Sequence, residues 1–323
     1  MPRATRDRAQ HGVNPSRRAD EELTTEIAEA LPRVLRIIGS VVAPTTLLTA
    51  LLLYFGRLHA QALFRYLRVP WTVFELTPED YLIRSADGLF VPVTIAAGVA
   101  VLACWAHYLL VGSGSDRARA AVVRAVAPLA AVGGIALVVF AAVATVAADA
   151  PFPEFPESGG LSLAIGVLLL AYAVRLIRTL AAGGQSRGPA RPVGGAVAEW
   201  TAIFVLVGVG LFWAVNGYAI GVGTSRAEQL VAELGFAPDA VLYSEKRLGL
   251  ELPGVREVPC QDPDAAYRFR YEGLKLVLQS GDQYLFFPGG WTREDGVALI
   301  IPRGDALRLE FTGPGRATPA MSC

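Results

Sequence analysis

The chain has 323 residues, 53% hydrophobic and only 18% charged, with a mean hydropathy of +0.42. An ordinary soluble domain carries about 25% charge, so this composition argues against a soluble enzyme, a disordered chain or a nucleic-acid binder. Lys plus Arg and Asp plus Glu both total 29, and zero net charge supplies no basic field for phosphate backbones. Among 29 basic residues only Lys246 and Lys275 are lysine, a usage expected of a GC-rich bacterial genome.

Residues 1–18 are polar and read as disordered. Leu23, Ile27, Leu31 and Leu35 then fall four apart on one helical face, which fits an amphipathic helix on a membrane surface or a soluble extension of the first span. Together residues 1–34 are expected to form a cytoplasmic tail. No apolar run begins near Met1, so no cleavable signal peptide is expected.

Five stretches are long and apolar enough to cross a ~30 Å hydrocarbon core, which takes about 20 helical residues. They are 35–55, 89–111, 126–147, 161–180 and 196–221, within a bundle spanning 35–223. Arginines precede the first span and fill the connections between spans two and three and between four and five. The connection after span three holds only Asp149, Glu154 and Glu157. This alternation predicts a multi-pass plasma-membrane protein with its N-terminus cytoplasmic and its C-terminus extracytoplasmic. Arg57, Arg65, Arg68 and Arg84, in the external connection 56–88, run against the pattern.

Pro44 followed by Thr45 and Thr46 predicts a bend in the first span, with threonine hydroxyls satisfying freed carbonyls. Gly217 and Gly221 have the GxxxG spacing that lets helix backbones approach, within or between protomers. Glu199 reads as an anion at the start of span five, and His107 and Asn216 as polar residues bonding a neighbour. Asp87, Asp149, Glu154 and Glu157 form a candidate acidic outer vestibule.

The connection 56–88 is patterned. Ala62, Leu63, Tyr66, Leu67 and Val69 suggest a separate interfacial helix, stopped at Val69-Pro70-Trp71. Thr77-Pro78-Glu79-Asp80 has the form of a helix start, with Thr as N-cap and Pro at N1. The segment is therefore expected to be a structured collar, packed beneath the C-terminal domain or shaping a pore mouth.

Residues 224–323 are expected to be an extracytoplasmic domain on a short helical stalk. Ser225-x-x-Glu228 has the form of a capping box and Gly235 of a helix end. About six strands follow, with a parity switch at Gly273 that suggests a bulge or turn and a hairpin signal at Ser280-Gly281-Asp282. These predict a small antiparallel barrel or sandwich. Cys260 and Cys323 are a candidate disulfide, since oxidising surroundings permit one, while Cys104 in span two is expected to be buried and inert. Phe286, Phe287 and Trp291 are either core or a candidate partner loop.

All three histidines (His11, His59, His107) lie outside this domain, and neither metal-ligand spacing nor a phosphate-cradling loop occurs, so no cofactor is expected. The fold class is thus a polytopic α-helical membrane protein with five transmembrane helices and a small antiparallel β-rich C-terminal domain. Its expected partners are the lipid bilayer, further copies of itself and an envelope component or protein partner. Its expected role is non-enzymatic binding or assembly by the external domain. The alternative is a homo-oligomeric cation channel.

Overall fold

The computed structural model describes residues 42–112, 116–146, 158–182, 193–262 and 264–313; the expected tail helix over 20–36 lies outside the described residues. The chain divides into two units, Met1–Ala50 and Leu51–Cys323. Described residues of the first unit begin helix α1 (Val42–Tyr66). There the Thr45 hydroxyl donates to the Val42 carbonyl at 3.0 Å and the Thr49 hydroxyl to the Thr45 carbonyl at 2.9 Å, the local back-bonding common for threonine in a helix; the carbonyl that Pro44 frees, that of residue 40, lies outside the described residues.

The second unit contains the rest of α1, then α2 (Pro78–Gly112), α3 (Asp116–Val146), α4 (Ser158–Ala182) and α5 (Val193–Glu233). These five helices are long and apolar enough to cross a membrane. At 1.5 Å per residue, the 41 residues of α5 span about 62 Å, roughly twice a hydrocarbon core, so α5 has length to project well beyond an apolar layer.

Two expected breaks are absent. The helix expected over 62–69 is, as far as Tyr66, the last part of α1, because Ala60, Leu63 and Phe64 keep one face buried past Phe55. The capping box at Ser225 does not open a helix either. Ser225 and Glu228 are exposed inside an unbroken α5, whose i→i−4 ladder satisfies the backbone donors a cap would serve.

α1 ends in a Schellman turn: Val69 N–H donates to the Phe64 carbonyl at 2.9 Å and Arg68 N–H to Arg65 at 3.2 Å. Arg68 takes the left-handed position at φ 57°, usually glycine's place. Its guanidinium donates to the Glu294 carbonyl at 3.0 Å, a contact that offsets part of the cost. After a 3-10 turn over Trp71–Phe74, α2 starts at the expected Thr77 N-cap and Pro78. Asp80 N–H donates to the Thr77 hydroxyl at 3.3 Å, and Thr77 N–H returns a bond to Asp80 at 2.9 Å.

Glycine sets how closely the helices cross. Gly134 and Gly166 bring α3 against α4: a Cβ on either would lie about 3 Å from the other's carbonyl, at 2.9 and 3.0 Å. α4 meets α5 where Gly160 faces Ala214 and Gly210 faces Ala164, a small-xxx-small spacing on both helices.

Six strands follow: β1 (Asp239–Ser244), β2 (Arg256–Pro259), β3 (Phe269–Ser280), β4 (Gln283–Pro288), β5 (Leu299–Pro302) and β6 (Leu307–Thr312). They form one antiparallel sheet in the order β5-β4-β3-β1-β6, with β2 also on β3. β5 and β6 end the order, so the sheet is neither a closed barrel nor two stacked layers. The Gly273 bulge is present: the β1 register slips between Ala240 and Leu242. On its other edge β3 pairs first with β2 and, past the bulge, with β4. Gly281 at φ 54° turns the β3–β4 hairpin.

Each face of the sheet has its own core. Leu285 and Phe287 join Leu63, Phe64, Leu67 and Phe74 of the α1 end and collar, with Trp291. The facing side chains Tyr271, Leu274, Phe286 and Ile301 form a second cluster with Leu242. Burying each such side chain stabilises by about 1.5–3 kcal/mol, so the sheet is fastened to the helices by a shared core.

Candidate functional site

The collar, α5 and the sheet meet around a cavity of about 420 Å³, within the ~300–1,000 Å³ range of small-molecule sites. Its wall is built by α1 (His59, Leu63, Phe64), α2 (Arg84, Gly88), α5 (Val222, Arg226, Leu230) and β3 (Val277, Leu278). Close backbone approach makes this junction possible. A Cβ on Gly223 would lie 2.5 Å from the His59 carbonyl oxygen, and one on Gly56 only 2.1 Å from that of Tyr81. His59 is 8% exposed and its ring stacks with Phe55 at 5.9 Å. Arg226 shares a hydrogen bond with Gln229 at 3.3 Å. A second cavity of about 370 Å³ adjoins on α5 and shares Val222 and Arg226.

The candidate vestibule is not assembled among the described residues. Asp149, Glu154 and Glu157 lie outside them, and Asp87 falls within α2. Gly217 and Gly221 line the second cavity, and a Cβ on Gly221 would meet nothing within 4 Å. Among the described residues, Gly134 and Gly166 bring α3 against α4, and Gly160 and Gly210 bring α4 against α5. Phe286 and Phe287 are fully buried, and Trp291 stacks on Phe287 at 4.3 Å, so these aromatics fill the core.

Cys260 is disulfide-bonded, and Cys323 lies outside the described residues. Cys104 is a free thiol exposed on α2, not buried, because the α2 surface around it has few neighbours: Trp105 and Tyr108 are 65% and 71% exposed. Glu199 is the seventh residue of α5 rather than its cap, and pairs with Arg178 of α4 at 2.9 Å. His107 bonds the Tyr172 hydroxyl at 2.9 Å and Asn216 accepts from Tyr54 at 3.4 Å, the neighbour bonds expected of both. Among the described residues no group of three His, Cys, Asp or Glu is placed to hold a metal.

Sequence reasoning did not assemble the junction cavity. Its one signal was the arginine excess of 56–88, and three of those four side chains have structural work there. Arg57 lies over Trp71 at 5.4 Å, Arg68 reaches Glu294 and Arg84 lines the cavity.

The sheet carries its own charge network. Glu272 accepts from both Arg256 and Arg270, Arg247 pairs with Glu257 at 2.8 Å, and Lys275 pairs with Asp239 at 3.0 Å. Burial raises the pKa of Glu272, but hydrogen bonds and charge from Arg256 and Arg270 outweigh it and hold the carboxyl below its usual value. A lowered folded-state pKa stabilises the fold above the ordinary carboxylate range, near pH 4.3, and that stability is lost as pH falls through the folded value. Glu272→Gln is therefore expected to destabilise by about 1–2 kcal/mol at pH 7 and to weaken the acid dependence below pH 4. Thermal melts of the two full chains at pH 7 and pH 3 measure this; parallel pH profiles would refute it.

Compared with protein-family models, characterised proteins and solved structures, the chain matches none.

Proposed function

We propose that this chain is a non-enzymatic, multi-pass protein of a bacterial plasma membrane. Its N-terminus is cytoplasmic, and its sheet domain, outside the membrane, binds an envelope component or partner or mediates assembly. The observation that carries this reading is the shared core of Leu63, Phe64, Phe74, Leu285 and Phe287. A domain held so presents its surface at a fixed angle to the five helices, as a binding or assembly module on a membrane requires. The disulfide state of Cys260 supports an oxidising, extracytoplasmic setting. Of the arginines of 56–88 that opposed this orientation, Arg57 lies over Trp71 and Arg68 donates to Glu294, roles that account for those two without a cytoplasmic location. Nothing in the described structure favours the channel alternative, since three of its four acids lie outside the described residues.

An isolated 224–323 fragment would expose Leu285, Phe287 and Trp291, so the test uses the full chain in cells. With Asp305→Cys, in the exposed β5–β6 connection, a membrane-impermeant maleimide is expected to label intact cells. Labelling only after permeabilisation would overturn the orientation. A photocrosslinker replacing Phe311, 55% exposed on the edge strand β6, is expected to trap a second copy or an envelope macromolecule. Correctly oriented protein that yields no adduct would overturn the binding or assembly role.

A further inference from the structure

The junction cavity has the composition of a site for an amphiphile. Its wall is mostly apolar, with Leu63, Leu230 and Leu278 among its residues, and it includes two arginines, Arg84 and Arg226. No carboxylate is present among the described lining side chains, and Arg84 forms no ion pair among the described residues. An unneutralised pair of arginines beside an apolar chamber is electrostatically complementary to an anionic head attached to a hydrocarbon tail.

Position gives the second argument. Gly88, which lines the cavity, is also the first residue of the apolar stretch of α2 (Gly88–Leu109). The preceding helical residues, from Pro78 to Asp87, include Glu79, Asp80, Arg84 and Asp87. The cavity therefore lies where the chain turns from polar to apolar, the depth at which phospholipid headgroups meet acyl chains. Glycine at 223 and 56 keeps the α1, α2 and α5 backbones close on one side, while β3 closes the other with Val277 and Leu278.

We infer that this cavity binds one anionic phospholipid of the surrounding membrane, its phosphate held by Arg84 and Arg226 and an acyl chain lying against Leu63, Leu230 and Leu278. The bound lipid fills the space between the helices and the sheet and so completes the junction that fixes the domain. The inference rests on the membrane reading above, and the first step of the test separates the two. A chain released from cell membranes by carbonate without detergent would overturn the membrane reading itself.

The detergent-extracted chain is placed in phosphatidylcholine nanodiscs containing about 10 mol% phosphatidylglycerol. Lipids retained after release are counted by native mass spectrometry. Phosphatidylglycerol is expected to be retained over phosphatidylcholine by about tenfold or more relative to its abundance. The double variant Arg84→Gln, Arg226→Gln is expected to bring that ratio to about one while the protein still melts cooperatively. Equal retention by the unaltered chain, or a ratio the double variant leaves unchanged, would overturn the proposal. Millimolar inorganic phosphate is expected to leave the lipid in place; complete displacement would mark a site for soluble phosphate and overturn it too. Because a variant can fail to fold, the unaltered chain is also photolabelled with phosphatidylglycerol carrying a diazirine on its acyl chain. Adducts on α1, α5 and β3 around Leu63, Leu230 and Leu278 are expected. Adducts confined to the exposed apolar stretch of α2 would place the lipid only in the annulus and overturn the site.

Discussion

Gly273→Ala is expected to unfold the sheet domain or to cost it about 4 kcal/mol or more, at the upper end for one substitution. Two penalties coincide at this residue. Its φ is +84°, which costs an L-residue roughly 1–2 kcal/mol, and a Cβ there would lie 2.0 Å from the Gly254 carbonyl oxygen. That oxygen belongs to backbone in the loop leading to β2, so it cannot turn aside as a side chain would. The bulge at Gly273 is also where one edge of β3 passes from β2 to β4, and displacing it disturbs both pairings. Gly254→Ala is the control, because Gly254 has the same φ of +84° but a Cβ there would meet nothing within 4 Å. It is expected to cost only the conformational term, about 1–2 kcal/mol. Hydrogen exchange of β3 amides in the two full-length variants measures both effects, and equal losses would refute the steric argument.

The sheet was legible because its signals are local. Alternation around Phe269 and Tyr271, the parity switch at Gly273 and the turn at Gly281-Asp282 each lie within a few residues of the structure they dictate. The start of α2 was legible for the same reason, since Thr77 and Asp80 cap each other across one turn. Helix ends set by distant contacts were not. Residues 56–66 look amphipathic because their apolar face meets Phe74 and, more than 200 residues away in the sheet, Leu285 and Phe287. Gly217 and Gly221 carry the familiar spacing, while the residues that meet α4 are Gly210 and Ala214, four apart on the same helix. Spacing shows that a close crossing is possible, and only the facing helix decides which pair makes it. The junction cavity was least legible, because its wall draws on α1, α2, α5 and β3.

That distinction among glycines sets the second large effect. Gly160→Leu is expected to destabilise the helices by about 3 kcal/mol or more, since overpacking that moves backbone reaches or exceeds the usual range. Even the first added carbon would lie 2.3 Å from the Ala214 nitrogen and 2.5 Å from the Gly210 carbonyl oxygen, so α4 and α5 must separate to admit it. Separation loses the van der Waals contact that holds apolar helices together, because lipid offers no hydrophobic force to replace it. Helix propensity pulls the opposite way, as leucine is better than glycine in a helix by roughly 0.8 kcal/mol, so a net loss isolates the packing. Gly221→Leu reverses the sign. A Cβ at Gly221 meets nothing within 4 Å, and the propensity gain is expected to raise stability by up to about 1 kcal/mol. The unfolding midpoint of the purified chain in sodium dodecyl sulfate titrations, followed by far-ultraviolet circular dichroism, measures both. Light scattering corrected for bound detergent adds a further separation. If Gly217 and Gly221 contact another copy, Gly221→Leu lowers the mass of the complex while the midpoint holds. An unchanged midpoint in Gly160→Leu would show that α4 and α5 do not cross at Gly160 and Gly210.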